Sequence, residues 1–95
     1  MIIYIDIDNT ICTASEDRDY FKATPIYLNI NKANKLYNEG NTIVYWTARG
    51  RETGVNWKET TEKQLKEWNV LYHELKFGKP YDLIIDDNSL HPKNW

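Results

Sequence analysis

The chain has 95 residues, of which 41% are hydrophobic and 27% are charged, and its formal net charge is −2. This composition is typical of one globular domain, and a domain of this length buries only about 60–65% of its unfolded surface, so a separate substrate-covering domain is not expected. The acidic balance argues against a nucleic-acid partner, the absence of a long apolar run argues against a membrane span, and the single cysteine excludes an internal disulfide. A cytoplasmic location is the simplest expectation.

The first half of the sequence predicts a strand, a loop and a helix. Residues 2–7 form an apolar, β-branched run interrupted only by Asp6, which is typical of a strand buried on both faces. The polar segment 8–24 predicts a loop. Pro25 then opens a stretch with apolar residues at helical spacing, and Gly40 stands where a helix commonly ends.

The second half predicts a buried strand at 42–46, a loop at 47–54, and a helix that begins at Asn56. Residues 71–75 and 83–85 predict two further short strands. This alternation predicts an α/β fold with a small, mostly parallel sheet. Few residues join the last two strands, and a parallel crossover usually needs about a dozen. We therefore expect either one helical turn in that connection or a displaced third strand.

Polar and charged side chains follow each predicted strand, at the sheet edge where open parallel sheets bind ligands. They are Asp6, Asp8, Thr47, Lys79, Asp86 and Asp87. Converging carboxylates repel one another unless a cation binds them, and ligation by oxygen atoms alone suits Mg²⁺. A lysine and a hydroxyl beside that cation would bind phosphate oxygens. The set therefore predicts phosphoryl chemistry, in which one carboxylate attacks phosphorus and another transfers protons.

These residues resemble the four motifs of the haloacid dehalogenase (HAD) superfamily. Residues 6–10 (Asp-Ile-Asp-Asn-Thr) are similar to the first motif, Thr47 to the second, Lys79 to the third, and the pair Asp86 and Asp87 to the fourth. The phrases Tyr-Trp-Thr-Ala-Arg-Gly and Phe-Gly-Lys-Pro look most like small capless HAD proteins of polysaccharide and sugar-phosphate pathways. The resemblance implies a Rossmann-like, three-layer core without a domain-sized cap.

The resemblance also implies a role for each residue. Asp6 would be the nucleophile and Asp8 the general acid and base. Mg²⁺ would bind to Asp6, to the backbone carbonyl of Asp8 and to Asp87, with Asp86 either binding the metal directly or supporting its ligands. The residues that hold the phosphate, or support the loops that do so, would be Asn9, Thr10, Thr47, Ala48, Arg49 and Lys79.

The residues alone leave several alternatives open. Lys76 competes with Lys79 as the lysine of the site, and a solvated lysine is the alternative for both. Asp86 and Asp87 are also placed where they could simply cap a turn. The candidate contacts for the non-phosphate part of a substrate are Arg18, Arg49 and Arg51, although a solvated loop explains Arg49 and Arg51 equally well.

The function predicted from these features is a magnesium-dependent phosphomonoesterase acting on a small phosphorylated metabolite, with a sugar phosphate as the first candidate. The alternatives are a nucleic-acid 3′-end phosphatase and a phosphate-binding protein without turnover. The acidic charge disfavours the first alternative, and the presence of both Asp6 and Asp8 disfavours the second. We expect an open, shallow site, because only the loop at 11–24 is long enough to form a flap. Flanking loops or a neighbouring subunit of a homo-oligomer would then supply specificity.

Overall fold

The computed structural model describes residues 1–14, 19–81 and 83–95. In these ranges the chain forms a small α/β domain with a parallel three-stranded sheet and two α-helices. The elements are β1 (Ile2–Ile5), α1 (Tyr27–Asn38), β2 (Thr42–Thr47), α2 (Lys58–Glu67) and β3 (Glu74–Phe77), with 3₁₀ turns at Tyr20–Lys22 and Pro92–Asn94. None of the described helices is long and apolar enough to cross a membrane.

The strand order is β1-β2-β3, so strands that follow one another in the chain are also neighbours in the sheet. Both pairs are parallel, with Ile5 opposite Tyr45 and Thr47 opposite Phe77. Right-handed crossovers between consecutive neighbours place both connecting helices on the same face of the sheet. In the described residues both helices contribute to one buried cluster on one face of the sheet. The three-layer, Rossmann-like core stays a prediction.

The core lies between the sheet and the two helices. Alternate strand residues point to this face, and they join the inner residues of both helices in one buried cluster. Its members are Ile5, Ile7, Ile11, Cys12, Ile30, Ala33, Ile43, Tyr45, Leu65, Trp68 and Val70. Cys12 is fully buried here, as expected for a small packing residue.

The opposite face of the sheet has no described helix over it. Ile2 and Tyr4 are 70% and 48% exposed there. Tyr4 makes an edge contact with Trp46 at 5.4 Å between ring centroids, and its hydroxyl accepts a hydrogen bond from Lys76 Nζ at 3.0 Å. Lys76 is therefore engaged on the face that points away from the core.

The bounds of the early elements differ only slightly from the predictions. The predicted strand at 2–7 ends at Ile5, because the chain turns soon afterwards and the Ile11 amide donates to the Ile7 carbonyl at 2.9 Å. The predicted strand at 42–46 is confirmed and extends to Thr47. The second helix was expected to begin at Asn56, but it begins at Lys58 with Trp57 at the N-cap. The Asn56 side chain accepts from the Lys58 amide at 3.0 Å just before it.

The third strand pairs with β2 but is shifted along the chain from the predicted 71–75. Asn69 has a positive φ of 57° and ends α2 as predicted. The residues that follow cross from the helix to the sheet, so the strand begins at Glu74 rather than at residue 71. His73 docks just before it, with its amide donating to the Ile43 carbonyl at 2.9 Å and its Nδ1 accepting from the Ile43 amide at 3.1 Å.

The predicted fourth strand at 83–85 is not formed in the described part of the chain. Leu83, Ile84 and Ile85 are 76%, 50% and 91% exposed. An apolar run becomes a strand only when it finds a pairing edge and apolar cover. Residues 83–85 pair with neither edge strand of the described sheet, and the segment leads directly into a turn at Asp86.

Candidate functional site

The candidate site lies at the carboxyl end of the sheet. Asp6 follows β1, Thr47 ends β2, and Lys79 comes just after β3. The Lys79 amide donates to the Thr47 carbonyl at 3.3 Å, which ties the segment after β3 to the end of β2. Three of the residues predicted to share a site are thus brought to one edge by the parallel arrangement.

The Asp6 carboxylate lies between a cation and a hydroxyl group. Lys79 Nζ donates to Oδ1 at 3.2 Å, and the Thr10 hydroxyl donates to Oδ2 at 3.3 Å. The side chain remains 34% exposed. Burial raises the pKa of Asp6, the ammonium group of Lys79 opposes that shift, and the negative charge of Asp8 adds to it. The carboxylate is therefore accessible, restrained in position, and in an environment that resists its negative charge.

The structure decides between the two candidate lysines. Lys79 is the one beside Asp6, and its Nζ also lies 5.3 Å from the centre of the Tyr81 ring. Lys76 contacts Tyr4 on the other face of the sheet and lies 3.9 Å from a Glu74 carboxylate oxygen. Lys76 lies within β3, whereas Lys79 follows the strand after Gly78, whose positive φ of 76° redirects the chain.

A tight turn after β1 shapes the segment that carries Asp6 and Asp8. Asn9 adopts a positive φ of 63°, a conformation that asparagine tolerates better than most residues. Its side-chain oxygen accepts from the Ala14 amide at 3.3 Å. Thr10 is buried and donates to Asp6. Both residues support the turn in this arrangement, which agrees with the supporting role expected for Thr10 but leaves no phosphate contact visible for Asn9.

Asp8 is held by a buried arginine. Arg49 Nη2 donates to Asp8 Oδ1 at 2.9 Å, and Nε donates to Oδ2 at 3.0 Å. The arginine side chain is 0% exposed and that of Asp8 is 19% exposed. The Arg49 side chain is therefore not part of a solvated loop, and it presents no exposed surface for the substrate contact predicted for it. The loop after β2 turns inward because a buried guanidinium finds its counter-charge there.

The remaining donors of Arg49 are also satisfied. Nη1 donates to the Thr61 hydroxyl at 3.0 Å and to Gln64 Oε1 at 2.6 Å. The Tyr20 ring covers the guanidinium at 4.7 Å, and Gln64 Nε2 donates to the Tyr20 carbonyl at 2.6 Å. Sequence reasoning missed this network. The available signal was a pair of polar residues, Thr61 and Gln64, on the buried face of an amphipathic helix.

Thr47 and Ala48 occupy the end of β2 as predicted, but their environments differ. The Thr47 side chain is fully buried, and its hydroxyl accepts a hydrogen bond from the Arg49 amide at 3.1 Å. Ala48 is exposed, and its carbonyl accepts from the Arg51 amide at 3.0 Å. Of the two predicted phosphate contacts, only Ala48 reaches the surface in this arrangement.

The acidic pair assigned to a metal lies in a turn. Asp86 Oδ1 accepts from the Asn88 amide at 2.9 Å, and this hydrogen bond lowers the pKa of Asp86. Asp87 is exposed. This is the turn-capping alternative considered for these residues.

The expected magnesium ligands are not gathered in one place among the described residues. The side chains of Asp6 and Asp8 are paired with Lys79 and Arg49, whereas the ligand expected at Asp8 is its backbone carbonyl. Among residues 1–14, 19–81 and 83–95, no group of three or more His, Cys, Asp or Glu side chains is placed to hold a metal ion. Magnesium therefore stays a prediction, and no chemical step is derived from it below.

A cavity of about 210 Å³ opens beside Lys79, between the loop after β2 and the end of β3. It is lined by Arg49, Gly50, Arg51, Val55, Asn56, Trp57, Phe77 and Gly78. The Arg51 guanidinium reaches across to the Lys79 carbonyl, to which it donates at 3.1 Å. Because its side chain is fully buried, Arg49 offers the cavity only main-chain atoms. Arg18, the third predicted arginine contact, lies outside the described residues.

The close packing around Gly50 at the cavity can be tested by comparing its substitution with that of Gly54. Its φ is +79°, and a Cβ added there would lie 2.1 Å from the Val55 carbonyl oxygen. Gly54 has a similar φ of +73° but open space around it. Gly54→Ala should cost about 1–2 kcal/mol for the left-handed backbone alone. Gly50→Ala should cost a further ~1–3 kcal/mol, because the clash must be relieved. Urea unfolding of both variants measures the difference, and equal losses would contradict the packing described for Gly50.

Comparisons with known proteins bear on the fold. No protein-family model matches the chain, and no curated protein matches it. A crystal structure of a structural-genomics target from Vibrio cholerae is similar, with a TM-score of 0.87 and 26% sequence identity over 98% of this chain and 85% of that chain. The likeness supports the small α/β fold and carries no statement of activity.

Proposed function

We propose that the protein is a phosphomonoesterase of the HAD type, acting on a small phosphorylated metabolite through an aspartyl-phosphate on Asp6. The proposal keeps the cytoplasmic location and the use of magnesium as predictions. It retains Asp8 as the group that transfers protons and Lys79 as the cation of the site.

The observation that carries the proposal is the environment of Asp6. A carboxylate between two buried apolar residues, here Ile5 and Ile7, normally needs a partner. The partners of Asp6 are one lysine and one hydroxyl, and its side chain stays accessible. A structural ion pair has no need for that exposure. A nucleophile does, because it must reach phosphorus while a neighbouring cation balances the charge of the incoming phosphate.

The proposed reaction has two steps. An Asp6 carboxylate oxygen attacks phosphorus, the ester P–O bond breaks, and the leaving oxygen takes a proton from Asp8. A water molecule then gives a proton to Asp8 and attacks the phosphorus of the aspartyl-phosphate, which releases inorganic phosphate and restores Asp6. The ammonium group of Lys79, 3.2 Å from Asp6, stabilises negative charge that develops on the transferred group.

The cavity beside Lys79 is the candidate place for the rest of the substrate. At about 210 Å³ it suits a group of roughly monosaccharide size rather than a polymer. Trp57 and Phe77 line the cavity and offer aromatic surface to the apolar side of such a group, and Arg51 offers a polar contact. A small metabolite is therefore favoured over a nucleic-acid end, although the chemistry at phosphorus would be the same.

Turnover assays test the proposal. We expect the purified chain to hydrolyse p-nitrophenyl phosphate with added Mg²⁺ and to lose activity in excess chelator. In a panel of phosphate esters, phosphorylated sugars should be hydrolysed faster than 3′-phosphorylated oligonucleotides. Binding of inorganic phosphate without any turnover would contradict the enzyme and favour the binding protein. Full activity in excess chelator would contradict the requirement for magnesium and leave the rest of the proposed function standing.

A further inference from the structure

We propose that Arg49 is a positioning residue that acts on the reaction only through Asp8. This inference rests on the proposed function, because it takes Asp8 as the group that transfers protons. A direct contact between the Arg49 side chain and a substrate is not available in the structure, since that side chain is 0% exposed. Whatever Arg49 does for turnover must therefore pass through the groups that it touches.

The geometry of the Arg49–Asp8 pair fixes the plane of the Asp8 carboxylate. Arg49 Nε lies 3.3 Å from Asp8 Oδ1 and 3.0 Å from Oδ2, and Nη2 lies 2.9 Å from Oδ1. Two guanidinium nitrogens thus hold both carboxylate oxygens. A planar fork of this kind fixes the orientation of a carboxylate, which a lysine ammonium in the same place could not do.

The Arg49 guanidinium is also held by residues that lie away from the sheet edge at which Asp6 stands. The Nη1 atom is held by Thr61 and Gln64 of α2, and the Tyr20 ring lies over its face. Gln64 in turn holds the Tyr20 carbonyl. The orientation of Asp8 is therefore set by a helix and by a 3₁₀ turn that contribute no described contact to Asp6.

Orientation matters for the assigned role of Asp8. A proton-transfer group must lie within hydrogen-bond reach of the reacting oxygen, and a misplacement of about 1 Å can cost roughly a hundredfold in rate. Asp8 keeps 19% of its side chain exposed, so it can still meet a substrate while Arg49 holds it. A purely structural ion pair would affect folding stability without affecting the turnover number of the folded protein.

The test uses four variants with p-nitrophenyl phosphate as substrate. Arg49→Met should lower kcat about 10–100-fold, with KM changed no more than about twofold. Arg49→Lys should restore only part of kcat, because it keeps the charge and loses the fork. Gln64→Leu should lower kcat less, since the contact with Asp8 remains. Lys63→Leu, on the exposed side of α2, is the matched control and should leave kcat unchanged.

A double variant gives the decisive readout. In an Asp8→Asn background, Arg49→Met should cause no further loss of kcat, because residues that act as one unit are not additive. Thermal melting by circular dichroism normalises each rate to folded protein. If Arg49→Met does not fold, Arg49→Lys and Gln64→Leu are judged by the same criteria: a lower kcat, an unchanged KM, and no added loss with Asp8→Asn.

The results that would overturn the inference differ from those that would overturn the function. Three results would exclude the positioning role of Arg49 while hydrolysis still depends on Asp6. They are a rise in KM at constant kcat, an unchanged kcat, and a loss of kcat that adds to the loss in Asp8→Asn. If the wild-type protein shows no turnover that depends on Asp6, the proposed function is wrong, and the inference about Arg49 fails with it.

Discussion

Replacing Asp6 by Asn should abolish hydrolysis, with kcat falling by at least about 10³-fold. The amide cannot form the acyl phosphate through which the proposed reaction proceeds. The fold should survive. Because burial raises the pKa of Asp6, the folded state disfavours its charge, and stability falls as the pH rises above the ordinary carboxyl pKa. The neutral Asn side chain carries no such cost, so the variant should be as stable as the wild type or more stable at neutral pH.

Glu74→Gln is the control for the loss of one negative charge. Glu74 is exposed, begins β3 and lies near Lys76 on the face of the sheet away from the core. Its substitution should leave kcat unchanged. Steady-state kinetics and thermal melts of both variants make the comparison, and trapping with beryllium fluoride should place the adduct on Asp6. Turnover of Asp6→Asn near the wild-type rate would exclude the aspartyl-phosphate mechanism.

Replacing Lys79 by Ala should lower kcat by about 10²–10³-fold, since a preorganised cation beside the transferred phosphate would be lost. It should also change the pH profile. The Lys79 ammonium lowers the pKa of Asp6, so its removal lets that pKa rise further. The nucleophile must be ionised, and activity falls as the pH drops through its pKa. The acidic limb of the kcat profile should therefore move to higher pH in the variant.

Lys76→Ala provides the matched control, because this lysine lies in β3, three residues before Lys79, and bonds to Tyr4 on the face of the sheet away from the core. We expect its kcat and its acidic limb to follow those of the wild type. Rate profiles measured from acidic to neutral pH distinguish the two lysines. Equal losses of kcat in both variants would mean that Lys79 contributes only to the net positive charge of the protein and not to a specific contact at Asp6.

Part of the site could be predicted from local sequence. Asp6, Thr47 and Lys79 each follow an apolar segment, and parallel strands bring such positions to one edge. The second strand was located within one residue because its apolar run is continuous and its burial does not depend on distant partners. Asn69 marks the end of α2 for a different local reason, because asparagine tolerates the left-handed backbone that ends a helix.

The tertiary structure alone decided the rest. The sequence favours Lys79 but leaves Lys76 as a rival, and only the folded structure shows Lys79 beside Asp6 and Lys76 beside Tyr4. The 83–85 run has strand composition, yet pairing requires an edge that the sequence does not specify. Arg49 follows a strand like a surface residue, and its burial depends on counter-charges and acceptors from Asp8, Thr61 and Gln64. A local pattern reports what each segment prefers, whereas a buried charge is stabilised by partners that are distant in the chain and adjacent only after folding.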